Sequence, residues 1–272
     1  MGMQADSSMA AWWGRQFDRI YCFHHTGMKG RYEAMRAELE RVGILGSGVF
    51  QWVITSPDPH EATVLDSFPK EDWPFESRKA SLGFLNLGMA TARAIRESLY
   101  FGHRRILVLE DDLRFLNDIG RVRDIIDATP DAADAVQYDK YLMWGEEDDS
   151  YAQMAEERPL GYSGQFFDPG DAVVPSGACL ALNRNAMTGL LMALELGIPR
   201  PVDGLLQQCR LRRAVAVENA GVQIYYRDSL QEAYTAGDKE LRHYKAYELM
   251  GVDLSRYAVP EGYLARGVVA DA

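Results

Sequence analysis

Apolar residues recur at three- and four-residue steps in three stretches of the chain, and short unbroken apolar runs lie between them. Tyr32, Met35, Leu39 and Val42 share one face of a helix expected over 30–42, which Gly43 suits as a C-terminal cap. Leu82, Leu85, Met89, Ala92, Ile95 and Leu99 form the stripe of a longer helix over 78–101, stopped at Gly102. Met187, Leu190, Leu191 and Leu194 mark a third helix over 185–196. The runs 19–23, 50–54 and 105–109 read as strands, as do 135–138, 172–182 (broken by Pro175 and Gly177), 214–217 and 222–226. In Ile106-Leu107-Val108-Leu109 the apolar residues are consecutive, as in a parallel-sheet strand buried on both faces. Shorter helices are expected over 118–128, between Asp203 and Arg213, and over 238–250. Residues 55–76, with prolines at 57, 59, 69 and 74, read as a loop. Strand and helix signals alternate, so the pattern predicts an α/β fold: one Rossmann-like domain with a mostly parallel central sheet flanked by helices.

Composition supports a single large core. The chain has 272 residues, of which 47% are hydrophobic, and 17–258 reads as the domain. Residues 1–16 read as an N-terminal extension and 259–272 as a tail. No apolar run approaches the roughly 18 residues of a membrane span. The opening residues lack a basic segment followed by an apolar one, so a cytoplasmic location is expected. Cys22, Cys179 and Cys209 are odd in number and widely spaced, which fits buried, reduced thiols better than a zinc or disulfide framework.

The net charge of -11 disfavours general nucleic-acid binding. Residues 184–213 run against that trend, with Arg184, Arg200, Arg210, Arg212 and Arg213 against Glu195 and Asp203. They form either an ordinary solvated face or a local basic groove. Residues 144–172 hold eight acids and one base, Arg158. This stretch reads as an exposed acidic loop, either simply solvated or serving as a lid over a site.

The most specific chemical signal is Glu110-Asp111-Asp112 at the end of the buried run 105–109. Carboxylates this close repel one another and call for a cation or water. In open α/β sheets, ligands bind in the crevice at the carboxyl ends of strands. Mg²⁺ and Mn²⁺ favour oxygen ligands and commonly share them with a nucleotide diphosphate. A solvated acidic turn capping the next helix is the plainer alternative.

Four places in order along residues 17–230 resemble glycosyltransferase family 25, the lipopolysaccharide- and collagen-type sugar transferases. Phe17-Asp18-Arg19-Ile20-Tyr21-Cys22-Phe23, with Arg31 beyond, is similar to the family's opening strand and arginine. Ser81-Leu82-Gly83 resembles the helix before its acidic motif. Ile106-Leu107-Val108-Leu109-Glu110-Asp111-Asp112 resembles its strand ending in Glu-Asp-Asp. Gly177-Ala178-Cys179-Leu180-Ala181-Leu182-Asn183-Arg184, followed by Pro201-Val202-Asp203, resembles its acceptor-side strand and Pro-x-Asp element. The chain departs from the family at His24-His25, where Asn-Leu is usual, and at Leu87-Gly88, where Ser-His is usual.

The resemblance implies a GT-A-like domain that uses Mn²⁺ or Mg²⁺ to move a hexose from a nucleotide-sugar. A UDP-sugar leads among donors, and a hydroxyl of a glycan or lipid-linked saccharide leads among acceptors. It implies a donor site at Phe23, His24, Arg31, Glu110 and Asp111, with Asp112, Glu110 and His243 as metal ligands. It also implies Asp203 as the base that takes the acceptor's proton. Each residue keeps a plainer alternative: packing for His24, an exposed side chain for Arg31 and His243, and a helix N-cap for Asp203. Two other functions stay open. One is the same chemistry on a hydroxyl of a nucleic-acid base. The other is a nucleotide-sugar- or glycan-binding module without catalysis.

Overall fold

The computed structural model describes residues 7–55, 64–67, 69–70, 78–141, 150–161, 164–196, 201–224 and 246–259. The strands are β1 (Arg19–His25), β2 (Phe50–Thr55), β3 (Arg105–Glu110), β4 (Leu113–Phe115), β5 (Ala135–Gln137), β6 (Pro159–Leu160), β7 (Phe166–Phe167), β8 (Cys179–Asn183), β9 (Arg213–Ala216) and β10 (Gly221–Gln223). The helices are α1 (Ser7–Gln16), α2 (Lys29–Arg41), α3 (Arg78–Tyr100), α4 (Ile119–Asp127), α5 (Ser150–Glu157), α6 (Arg184–Glu195) and α7 (Val202–Gln208).

Eight strands form one sheet in the order β2-β1-β3-β8-β5-β9-β7-β6, while β4 and β10 pair separately. Strands β2, β1, β3, β5, β9 and β6 run in one direction, and only β8 and β7 run against them. The expected mostly parallel α/β sheet is therefore present. The antiparallel β8 matters for the site. Its register Leu109↔Cys179 brings the segment entering β8 to the C-terminal end of β3. Strand β5 runs with β3, so Tyr138-Asp139-Lys140 leave the sheet at that same end.

The two faces of the sheet bury separate cores. Ile20, Cys22, Leu107 and Leu109 pack towards α1, α2 and α4 with Trp12, Trp13, Met35, Leu39, Val122 and Ile126. Tyr21, Phe23, Ile106 and Val108 pack towards α3 and α6 with Ala94, Ile95, Met187 and Leu190. The alternation of strand side chains between faces explains this division. Each such fully buried side chain contributes roughly 1.5–3 kcal/mol. Residues 7–16, part of the expected extension, belong to this core as α1. Trp13 donates its indole N–H to Val42 O at 2.8 Å, and Trp12 donates to Asp127 Oδ1 at 2.9 Å.

The helix ends follow local chemistry. Gly43 and Gly102 have φ of 78° and 75°, the left-handed conformation that ends α2 and α3. The acidic stretch differs from its expected form. Its described part carries α5, β6 and β7, and Phe166 and Phe167 are buried, because two adjacent aromatics anchor a segment that acids alone would leave in solvent. The strand expected over 172–182 is paired only at Cys179–Asn183, since the Pro175-Ser176-Gly177 turn interrupts the ladder. The helix expected over 238–250 falls within the described residues only from 246, and 246–249 are helical.

Candidate active site

A cavity of about 390 Å³ opens at the C-terminal ends of β1 and β3. It is lined by Phe23, His24, Arg31, Glu110, Asp111, Asp112 and Asp203, so residues from three separate segments meet in one place. His243 lies outside the described residues. The convergence follows from the topology. Pairing of Phe23 with Glu110 places His24 and Asp111 side by side one residue further on. The loop after β1 is short, with Met28 N donating to His25 O at 2.8 Å. Helix α2 therefore begins at the same strand end and presents Arg31 from its first turn.

The carboxylate cluster is bound internally. Arg31 Nη1 donates to Asp111 Oδ1 at 3.0 Å and to Asp112 Oδ2 at 2.9 Å. His24 Nδ1 faces Asp111 Oδ2 at 2.6 Å, in position to donate to it. Gln223 Nε2 donates to Asp112 Oδ1 at 3.2 Å and to Glu110 Oε2 at 3.4 Å. Both oxygens of Asp111 are thus taken by side chains. Of the residues expected at the donor, Arg31, His24 and Asp111 are tied to one another. Burial of such a network is tolerated because each charge has a partner close by.

Glu110 and Asp112 differ from Asp111. Burial raises the carboxyl of Glu110 well above its usual range, and the charges of Asp112, Asp139 and Asp111 push it further. Burial also raises Asp112, against the pull of Arg31. Among the hydrogen bonds at this strand end, Asp112 accepts from Arg31 and Gln223, and Glu110 accepts from Gln223. Among the described residues, no group of three or more His, Cys, Asp and Glu side chains is arranged to hold a metal ion. A Mg²⁺ or Mn²⁺ site in nucleotide enzymes commonly uses one or two carboxylates plus phosphate oxygens. Glu110 and Asp112 fit that smaller set, and Asp111 does not.

Asp203 stands on the other wall. The expected N-cap role is not what α7 uses. Its N-cap is Pro201, without a side-chain cap bond, and Asp203 occupies the first turn. Its carboxylate accepts instead from Gly204 N at 2.8 Å and from Ser176 N at 3.3 Å. Burial raises its pKa, and the N–H groups of Gly204 and Ser176 pull it back. A base needs this balance, since its ideal pKa lies near the operating pH.

Three further residues belong to this region. Ser176 is buried and has a φ of 100°, outside the range that side-chain-bearing residues favour. Such a conformation costs about 1–3 kcal/mol and tends to sit at functional sites. Its hydroxyl donates to Asp139 Oδ2. Asp139 Oδ1 accepts from Cys179 N at 2.8 Å, and burial pushes this carboxyl up to about 6. Gln223, the third, bridges the cluster. Asp139 had one sequence signal, its place just after the apolar strand run 135–138. The roles of Ser176 and Gln223 arise from tertiary contacts.

No known protein-family model matches the chain, and no curated protein matches it. Among solved structures it is similar to mouse xyloside xylosyltransferase 1 in its apo form. That likeness has 13% identity and a TM-score of 0.34, over 72% of this chain and 77% of that one. It is also similar to mannose-1-phosphate geranyltransferase from Thermus thermophilus, at 16% identity and a TM-score of 0.33. There the overlap covers 75% of this chain and 74% of that one. Likeness at this level carries no functional information, so the cavity itself is what bears on activity.

Proposed function

We propose that the chain is a glycosyltransferase that moves a hexose from a nucleotide-sugar, with a UDP-sugar as the leading donor, to a hydroxyl of a glycan or lipid-linked saccharide. One observation carries this reading: a single cavity is lined by two carboxylates at the end of β3, Glu110 and Asp112, and by a separate carboxylate on α7, Asp203. The resemblance of the 106–112 and 177–203 segments to glycosyltransferase family 25 supports the same assignment.

In this reading Glu110 and Asp112 would hold Mn²⁺ or Mg²⁺. Such an ion would offset the charge of the departing diphosphate. Asp111, fixed by Arg31 and His24, keeps the strand end rigid beneath the donor. The acceptor oxygen forms a bond to the anomeric carbon as the bond to the diphosphate oxygen breaks. The diphosphate leaves with that electron pair, and the acceptor's proton passes to Asp203. This is an inverting displacement, for which one base suffices. No helix among the described residues is long and apolar enough to cross a membrane.

The test is release of the nucleotide (UDP, GDP or CMP) from UDP-, GDP- and CMP-sugars with Mn²⁺, with and without a chelator. Release from one donor class that stops in excess chelator is expected. Donors left intact under all conditions would remove the reading, and undiminished release in chelator would remove its metal component.

A further inference from the structure

We propose that Ser176 is a positioning residue of this site: Asp139 holds its hydroxyl, and its strained backbone presents the amide N–H to Asp203. This rests on the reading of Asp203 as the base. Ser176 joins two acids that arrive from different elements, Asp139 after β5 and Asp203 in α7. Four hydrogen bonds converge on this one residue. Its N–H reaches Asp203 Oδ2 at 3.3 Å, and its hydroxyl reaches Asp139 Oδ2. Its carbonyl accepts from Gln137 Nε2 at 2.6 Å, and its hydroxyl oxygen accepts from Ala178 N at 3.4 Å.

The residue type is informative. A left-handed conformation favours glycine, which would adopt a φ of 100° without strain. Glycine would, however, leave Asp139 without its hydroxyl donor. A serine here therefore ties the turn to the sheet through Asp139, whose other oxygen is fixed by Cys179 N at the start of β8. The turn cannot drift, and neither can the N–H that meets Asp203. Loss of that anchor lets the carboxylate shift, and a shift of about 1 Å costs on the order of 10²-fold in rate.

The informative variant is Ser176→Gly. It keeps the N–H and relieves the backbone, and it removes only the hydroxyl. We expect a folded protein with an unchanged donor KM and a kcat lower by roughly 10- to 100-fold. An N–H held on Asp203 favours its ionised form, so a loosened turn also moves the acid limb of the kcat profile to higher pH. Wild-type kcat and an unmoved acid limb in Ser176→Gly would overturn the proposal.

Asp139 supplies the second arm, which decides the matter if the glycine variant fails to fold. In Asp139→Asn the amide accepts from Cys179 N and donates to the serine hydroxyl, so kcat stays well above that of Asp139→Ala. Equal kcat in the two variants would overturn the proposal. Asp203→Asn separates the failures. If it is crippled while Ser176→Gly is normal, only the positioning role falls. If it turns over normally, the base assignment falls and the positioning role falls with it.

Discussion

The two walls of the cavity hold their carboxylates by different means. On the β3 wall, Asp111 and Asp112 are hydrogen-bonded by side chains, with Arg31, His24 and Gln223 within 2.6–3.2 Å of their oxygens. On the facing wall, Asp203 is held by backbone N–H groups, and behind Ser176 the fully buried Asp139 is held by one N–H and one hydroxyl; no cationic side chain bonds to either among the described contacts. The first arrangement gathers three carboxylates around one arginine, which suits a cation together with an anionic ligand. The second fixes position while leaving the carboxylate basic, which suits proton transfer. The difference shows why acids of similar burial need not share a role.

The comparison can be broken first at Asp112. Asp112→Asn removes the negative charge of one of the two carboxylates proposed to hold a cation, so turnover should be abolished. The fold should persist, because an asparagine still has an oxygen to accept from Arg31. Loss of the cooperative unfolding transition in this variant would show that the triplet is a structural network alone.

Arg31 comes next. It is buried and bonded to two carboxylates at once. Arg31→Met should destabilise the protein by about 3–5 kcal/mol, because it leaves uncompensated charge in the interior. Urea unfolding would measure this. A loss below about 1 kcal/mol would show that the pair behaves like an exposed one.

The facing wall makes a smaller, pH-dependent contribution. Burial puts the Asp139 carboxyl at about 6, above the roughly 3.9 of an unfolded chain. The folded state therefore binds this proton more tightly than the unfolded state. Stability should rise as pH falls from about 6 to about 4, by up to about 3 kcal/mol for a shift of that size. Asp134 works in the opposite sense. Arg212 holds its pKa down, so its share of stability is present above about 4 and is lost as pH falls further. Asp139→Asn should reduce the slope between pH 4 and 6, to which the raised Glu110, Asp112 and Asp203 also contribute, and leave the loss below pH 4. An unchanged slope between pH 4 and 6 would contradict the assignment.

Much of the β3 wall is legible in the sequence, and little of the facing wall is. Glu110-Asp111-Asp112 are contiguous and follow four apolar residues, so strand, strand end and charge all appear in one window. The long helices are equally legible, because each keeps its stripe for two turns or more. The facing wall is assembled from residues 139, 176 and 203, and nothing local joins them. Asp139 follows a strand of three residues, too short to give a clear period. The φ of Ser176 is imposed by tertiary bonds, and no neighbouring residue type announces it. Asp203 can be singled out, but its bond to Ser176 cannot, so an N-cap stays open until the α7 geometry gives that place to Pro201. Core membership of α1 is hidden likewise. Its two tryptophans stand beside small and polar residues, and their hydrogen-bond partners come from α4 and the end of α2, with Phe115 of β4 packed against Trp13.

Donor binding by three proteins tests the division of labour most directly, and it needs no knowledge of the acceptor. Wild type, Asp112→Asn and Asp203→Asn would be melted with UDP-, GDP- and CMP-sugars and Mn²⁺. A ligand that binds only the folded state stabilises it by about 2.7 kcal/mol at one hundred times its Kd. One donor class should raise the midpoint of wild type and of Asp203→Asn alike and leave Asp112→Asn unmoved. A midpoint in Asp112→Asn that still rises with the donor, or one in Asp203→Asn that no longer does, would contradict the assignment of donor to one wall and base to the other.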